Sequence, residues 1–157
     1  MSPDAPKRGG APVGYLSELS DVEATAVLCL RLWNTGDARL DAPALGEMMR
    51  ALGRAEGKRL FQAFEQICTL CAHHGRRPLV RHSPGCECLG ADEACFANFI
   101  ATASEGDRED AMLIASMLVR ADMAPCLASL AETFGLSLKR MSLCAHATRH
   151  PYGQTLH

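Results

Sequence analysis

Five of the eight cysteines lie between residues 68 and 95 and give the sequence its clearest chemical signal. Cys68 and Cys71 form a C-x2-C pair at one end of this stretch, and Cys86 and Cys88 form a C-x-C pair near the other. Structural zinc sites use four thiolate or imidazole ligands from separate backbone segments. The spacing therefore predicts one zinc site, whose candidate ligands are Cys68, Cys71, His82, Cys86, Cys88 and Cys95.

Other interpretations of these cysteines stay open. An iron–sulfur cluster is also held by cysteine thiolates, and closely spaced thiols form redox pairs. Cys68 and Cys71 continue the apolar stripe of Phe64 and Ile67, so core packing would explain them too. The second pair belongs to no such stripe, and its flanking glycines predict a loop.

The residues around the cysteines are predicted to be helical. Apolar side chains recur at three- and four-residue steps along most of the chain, and good helix formers dominate. We predict an all-α protein, a compact bundle of about five to six helices. The stripes lie at 17–36, 45–52, 60–74, 92–105, 108–119, 127–134 and 136–146. The run AMLIASMLV, apolar on every side, is predicted to be the central buried helix.

One long loop interrupts the helical pattern at residues 75–91, which read GRRPLVRHSPGCECLGA. Loops of this length carry function or are held in place by something. A metal ion bound by cysteines on both sides would hold it between two helices. Asp92 is predicted to cap the next helix, in whose first turn the helix dipole would favour a Cys95 thiolate.

The domain organisation follows from these patterns. Residues 1–14 are rich in proline and glycine and are predicted to form a flexible N-terminal tail. Residues 15–146 form a single helical domain with the Cys-rich loop at 68–95, and residues 147–157 form a loose C-terminal tail.

Composition narrows the class of protein further. The chain has 157 residues, 48% of them hydrophobic, and a formal net charge of −2, so it is not a polybasic nucleic-acid coat. It contains neither an apolar run of about 20 residues nor a secretory leader, so we expect no membrane partner. We expect a cytoplasmic location, where thiols stay reduced.

Residues 127–146 carry a second motif, LASLAETFGLSLKRMSLCAH. Ala131 is the fifth residue of this segment and Gly135 the ninth. Apolar side chains occupy five further positions, held by Leu130, Phe134, Leu136, Met141 and Cys144. This pattern resembles the helix-turn-helix of bacterial transcription regulators, in which the glycine takes the turn and the small residue lets two helices approach closely.

The resemblance implies a way of binding DNA. A recognition helix would begin near Ser137 and enter the major groove, and a two-fold homodimer would bind paired half-sites. The residues implied in DNA contact are Ser137, Lys139, Arg140 and Arg149.

No catalytic motif is present: the chain lacks a phosphate-binding glycine loop, a nucleophile elbow and an H-E-x-x-H zinc motif. We therefore expect a non-enzymatic, zinc-stabilised helical protein that acts as a binding or regulatory module on a protein partner. Two alternatives stay open. One is a DNA-binding regulator with a metal- or redox-sensing cysteine cluster, and the other is an iron–sulfur or thiol redox protein.

Overall fold

The computed structural model describes residues 8–34, 39–40, 50 and 53–149. The prediction of an all-α fold is confirmed there. The predicted helix at 45–52 lies outside the described residues except for Arg50, as do residues 1–7 and 150–157 of the two predicted tails. The five helices of the described part are α1 (Asp21–Leu32), α2 (Arg54–His74), α3 (Ala91–Ser104), α4 (Arg108–Leu118) and α5 (Ala124–Arg149).

Local sequence signals explain several helix ends. Ser20 caps α1 by accepting a hydrogen bond from the Glu23 amide at 3.3 Å. Asp107 caps α4 in the same way, with the Asp110 amide as donor at 3.3 Å. Gly106 has a φ of 83°, a left-handed conformation that favours glycine and separates α3 from α4.

Two short antiparallel sheets accompany the helices, although the sequence predicted no strand. Strand β1 (Pro12–Tyr15) pairs with β4 (Cys88–Gly90), and β2 (Trp33–Asn34) pairs with β3 (Arg39–Leu40). Residues 8–14 are therefore not a loose tail. Backbone hydrogen bonds hold them in place, including one from the Ala91 amide to the Ala11 carbonyl at 3.0 Å. Amino-acid composition does not predict such long-range pairing.

The core centres on α3, which packs against α1, α4 and α5, while α2 packs against α5. Phe64 lies at the middle of an aromatic cluster. Its ring centroid is 5.8 Å from that of Trp33, 6.5 Å from that of Phe96 and 5.1 Å from that of Phe134. These contacts join four segments of the chain around one apolar centre.

The prediction that AMLIASMLV forms the central buried helix is wrong. The run lies in α4, where Ala111, Ala115 and Leu118 are buried but Leu113 and Met117 are 65% and 67% exposed. A run that is apolar on every side does not specify which face turns inward. Here the small alanines allow the helix to lie close to its neighbours, and larger side chains stay outside.

The predicted turn at Gly135 is also wrong, because residues 124–149 form one continuous helix. A Cβ atom at Gly135 would lie 2.6 Å from the Ser104 Cβ and 2.9 Å from the Ile100 carbonyl oxygen. The glycine thus permits a close approach of α5 to α3. That packing requirement selects glycine as effectively as a left-handed turn does.

None of the helices in the described ranges has the length and apolarity needed to cross a membrane.

Candidate functional site

A buried ion pair anchors the second half of the long loop. Arg31 on α1 binds Glu93 on α3 through two hydrogen bonds, Nε to Oε2 at 2.6 Å and Nη2 to Oε1 at 3.0 Å, and both side chains are fully buried. Arg31 also donates to the carbonyl oxygens of Cys86 and Cys88, at 2.6 and 2.7 Å. This one guanidinium therefore ties the C-x-C pair to two helices.

Glu93 completes the anchor from the other side. Its carboxylate accepts the backbone amides of Gly90 at 3.0 Å and His82 at 3.3 Å. Burial by itself raises the pKa of Glu93, but the hydrogen bonds from Arg31 and from these amides outweigh it and hold the pKa below its ordinary value. Glu93 is ionised at neutral pH although no solvent reaches it.

A second carboxylate holds the first half of the loop. Asp92 accepts hydrogen bonds from Arg77 at 2.6 and 2.7 Å and from the Val80 amide at 2.7 Å. The prediction that Asp92 caps α3 is wrong, because α3 begins at Ala91 with Gly90 as its N-cap. Burial raises the pKa of Asp92, and the hydrogen bonds from Arg77 and Val80 lower it by more, so the net pKa is below its ordinary value.

The loop is thus held by carboxylates and arginines. Among the described residues, which include all six predicted ligands, no group of three or more histidine, cysteine or acidic side chains is arranged to hold a metal ion. The zinc and iron–sulfur hypotheses therefore remain predictions of the sequence alone. The described geometry separates five of the six candidates into three environments, and the sixth, Cys88, lies half-buried at the start of β4.

The first environment is a Cys86–His82 pair. The His82 Nδ1 lies 3.5 Å from the Cys86 Sγ, and its Nε2 lies 2.8 Å from the carbonyl oxygen of Gly10. A carbonyl only accepts, so Nε2 carries a hydrogen and donates it to Gly10. Nδ1 is left to exchange a proton with the thiol, which is the arrangement of a nucleophile, a base and an orienting group.

Electrostatics reinforce this pair. The His82 hydrogen bond is the main cause that lowers the pKa of Cys86, followed by a hydrogen bond from the Cys88 amide, and the charge of Arg31 also contributes. The Cys86 thiol in turn raises the pKa of His82, and the Gly10 carbonyl adds to the rise. Both shifts favour a thiolate beside an imidazolium.

Glycine makes room for the imidazole. A Cβ atom at Gly90 would lie 2.9 Å from the His82 Nε2 and 3.0 Å from its Cδ2. The pairing of β1 with β4 places Gly90 opposite Pro12, so the same small sheet also brings the Gly10 carbonyl to the ring. The N-terminal segment therefore takes part in the site.

The second environment holds Cys68 and Cys71, which lie on one face of α2 and line a cavity. Burial raises the pKa of Cys68, and it raises that of Cys71 to about 11. Cys29 on α1 is also buried, and its pKa rises to about 12 for the same reason. These thiols are neutral at neutral pH.

Cys95 has a third environment, which does not favour the predicted thiolate. Burial raises its pKa, and the negative charge of Asp92 raises it further. The charge of Arg77 opposes both effects but does not overcome them. A carboxylate in the first turn of α3 thus counters the benefit that the helix dipole would give to a thiolate.

Three of the four residues implied in DNA contact make hydrogen bonds within the protein. Ser137 is 1% exposed and donates to the Glu56 Oε1 at 3.2 Å, and Arg140 binds the same oxygen at 2.6 Å. The Lys139 Nζ donates to the Ser104 carbonyl at 3.1 Å. Arg149 lies in the last turn of α5, and its side chain is outside the described part.

Sequence reasoning missed the anchoring role of Arg31 and Glu93. One signal was available: Glu93 lies three residues after Gly90, the position from which a glutamate side chain reaches back to the amide that precedes a helix.

Comparison with known proteins finds no match among protein-family models, curated proteins or solved structures.

Proposed function

We propose that this protein is a thiol-based redox-responsive regulatory protein in which Cys86 is the reactive thiolate and His82 its proton partner. The observation that carries the proposal is the 3.5 Å contact between the His82 Nδ1 and the Cys86 Sγ, with the ring fixed by the Gly10 carbonyl. Cys86 is half-buried, so small reagents have access to it. The proposal develops the thiol redox alternative of the sequence and does not require a metal.

The chemistry suited to such a site is attack on a hydroperoxide. The Cys86 thiolate forms an S–O bond while the O–O bond breaks, and the leaving hydroxide or alkoxide takes the proton from the His82 Nδ1. The sulfur loses two electrons and the peroxide gains them, which gives a sulfenic acid and water or an alcohol. The Cys88 thiol, two residues away, is the candidate that condenses with it to a disulfide and releases a second water.

The surroundings of Cys86 connect this reaction to the fold. Arg31 binds the carbonyl oxygens of Cys86 and Cys88, and Glu93 binds the amide of His82. A disulfide within C-x-C would change the backbone that Arg31 holds and would disturb its buried pair with Glu93. Oxidation is therefore expected to loosen the loop and its pairing with β1, and this change would be the signal that a protein partner detects.

The contacts favour this function over DNA binding. Lys139 and Arg140, the main cations of the predicted recognition helix, already bind Ser104 and Glu56 within the protein. Binding DNA would require these hydrogen bonds to be exchanged for phosphate contacts, which lowers the gain.

Site-specific oxidation tests the proposal. We expect about one equivalent of hydrogen peroxide, with dimedone present to trap sulfenic acid, to label Cys86 first when the peptides are mapped by mass spectrometry. Cys126 is the internal control because it is exposed and lies outside the site. His82→Ala should slow labelling of Cys86 and leave that of Cys126 unchanged. Equal labelling of Cys86 and Cys126, or no effect of His82→Ala, would contradict the proposal.

A further inference from the structure

A cavity of about 560 Å³ is lined by residues of α1, α2 and α3, by Trp33 and by residues between 75 and 81. Its volume falls within the range of about 300–1,000 Å³ that is typical of small-molecule sites. Its inner wall is apolar and buried, and is formed by Leu30, Trp33, Ile67, Cys68 and Phe96. The mouth is open, because Ala72 and Pro78 on its rim are exposed.

Charge distinguishes this cavity from an ordinary packing gap. The described residues that line it include three arginines, Arg76, Arg77 and Arg81, and no acidic residue. Arg77 is paired with Asp92, but the Arg76 Nε donates to the Ser116 carbonyl. Two of the three guanidinium groups thus have no carboxylate partner in the described part of the chain.

Arg81 is the cation best placed to meet a ligand. One of its terminal nitrogens, Nη1, donates to the carbonyl oxygens of Leu30, at 2.9 Å, and Trp33. These bonds fix the guanidinium beside the apolar wall and leave its other N–H groups without a partner among the described residues. The positive charge of Arg81 also acts on Cys68 in the apolar wall, where it opposes the rise in pKa that burial causes.

We infer that this cavity binds a small organic anion, a monocarboxylate with a hydrocarbon body. The apolar wall would take the hydrocarbon, and Arg81 would receive the carboxylate, with Arg76 adding positive charge at the mouth. A neutral ligand would leave the arginine charge uncompensated, and a cation would be repelled. The inference rests on other residues than the Cys86 site and stands independently of it.

The only tryptophan of the chain reports on this cavity. Trp33 lines it and is 7% exposed, so a ligand that fills the cavity changes the surroundings of its indole. Octanoate is a suitable probe because it does not absorb where tryptophan emits. Octanamide and octylamine are matched controls with the same chain and a neutral or a positive head.

We expect octanoate to change the Trp33 fluorescence saturably and to raise the melting temperature. Octanamide should bind at least about tenfold more weakly than octanoate, and octylamine should not bind. Equal affinities for octanoate and octanamide, or no saturable change with octanoate, would overturn the inference. This comparison uses the unaltered protein and depends on no variant.

Two variants locate the site. Arg81→Gln should weaken octanoate binding about tenfold or more, whereas Arg59→Gln, on an exposed arginine outside the cavity, should not. Arg81 also holds two backbone carbonyls, so Ala72→Phe provides a second variant that adds bulk from an exposed rim position. Ala72→Phe should abolish binding, and Ala121→Phe, at another exposed alanine, should not. Binding that survives both Arg81→Gln and Ala72→Phe would place octanoate elsewhere and contradict the inference.

Discussion

At the scale of single residues, the site depends on how one imidazole is oriented. The Gly10 carbonyl fixes the proton on the Nε2 of His82, and only then does Nδ1 face the Cys86 sulfur. This contact lowers the pKa of Cys86, whereas burial raises the pKa values of Cys71 and Cys95. The three side chains are chemically identical, so their surroundings decide which thiol reacts.

Gly90→Ala tests this orientation without removing either member of the pair. The new Cβ would fall within 3 Å of the His82 ring, so the ring must move and its contact with the Cys86 Sγ is lost. We expect Cys86 to react a few-fold more slowly with iodoacetamide at neutral pH, because its pKa returns toward the ordinary value. Gly85→Ala is the matched control, since a Cβ there meets nothing within 4 Å. Equal rates in the two variants would argue against the orienting role.

At the scale of elements, α3 positions the loop through two adjacent acidic residues. Asp92 binds Arg77 and so holds the first half of the loop, and Glu93 binds Arg31, which holds the second half. The sequence predicted that a metal ion would do this work. Carboxylates in the first turn of a helix achieve the same result because the helix dipole, the loop amides and the arginines all favour their ionised form.

Glu93→Gln should strongly destabilise the protein. It leaves the charge of Arg31 buried without a counter-charge, and breaking a buried pair in this way costs about 3–5 kcal/mol. Urea denaturation followed by circular dichroism measures the change in the free energy of unfolding. Glu87→Gln, on the exposed side of the same loop, should change that free energy by less than about 0.5 kcal/mol. A loss below 1 kcal/mol for Glu93→Gln would show that the pair does not anchor the loop.

At the scale of the whole molecule, much of the helical architecture could be predicted from sequence and the site could not. Apolar periodicity located α2, α3 and α4. The contacts that make the site join residues far apart in the chain, such as Arg31 with Glu93 and His82 with Gly10. Periodicity reports which face of an element is apolar, and it does not report which distant polar groups will meet there.

Acid stability is a property of the whole molecule that follows from these carboxylates. The pKa values of Asp92 and Glu93 lie below their ordinary values, so these carboxylates bind fewer protons in the folded protein than in the unfolded chain. Their stabilising contribution is therefore fully present above the unfolded pKa values of about 4. It is lost as the pH falls through the lower folded values. We expect the melting temperature to drop steeply from pH 5 to pH 3, and less steeply in Glu93→Gln. Parallel slopes for the two proteins would contradict this assignment.

The pH dependence of Cys86 alkylation tests the central claim most directly. Iodoacetamide reacts with the thiolate, so the pH of half-maximal rate at Cys86, followed by peptide mass spectrometry, gives the pKa of that thiol. We expect a midpoint below that of an ordinary cysteine in the wild-type protein and in His73→Ala, an exposed histidine outside the site, and a higher midpoint in His82→Ala. A wild-type midpoint at or above the ordinary value, or one that His82→Ala leaves in place, would contradict the account.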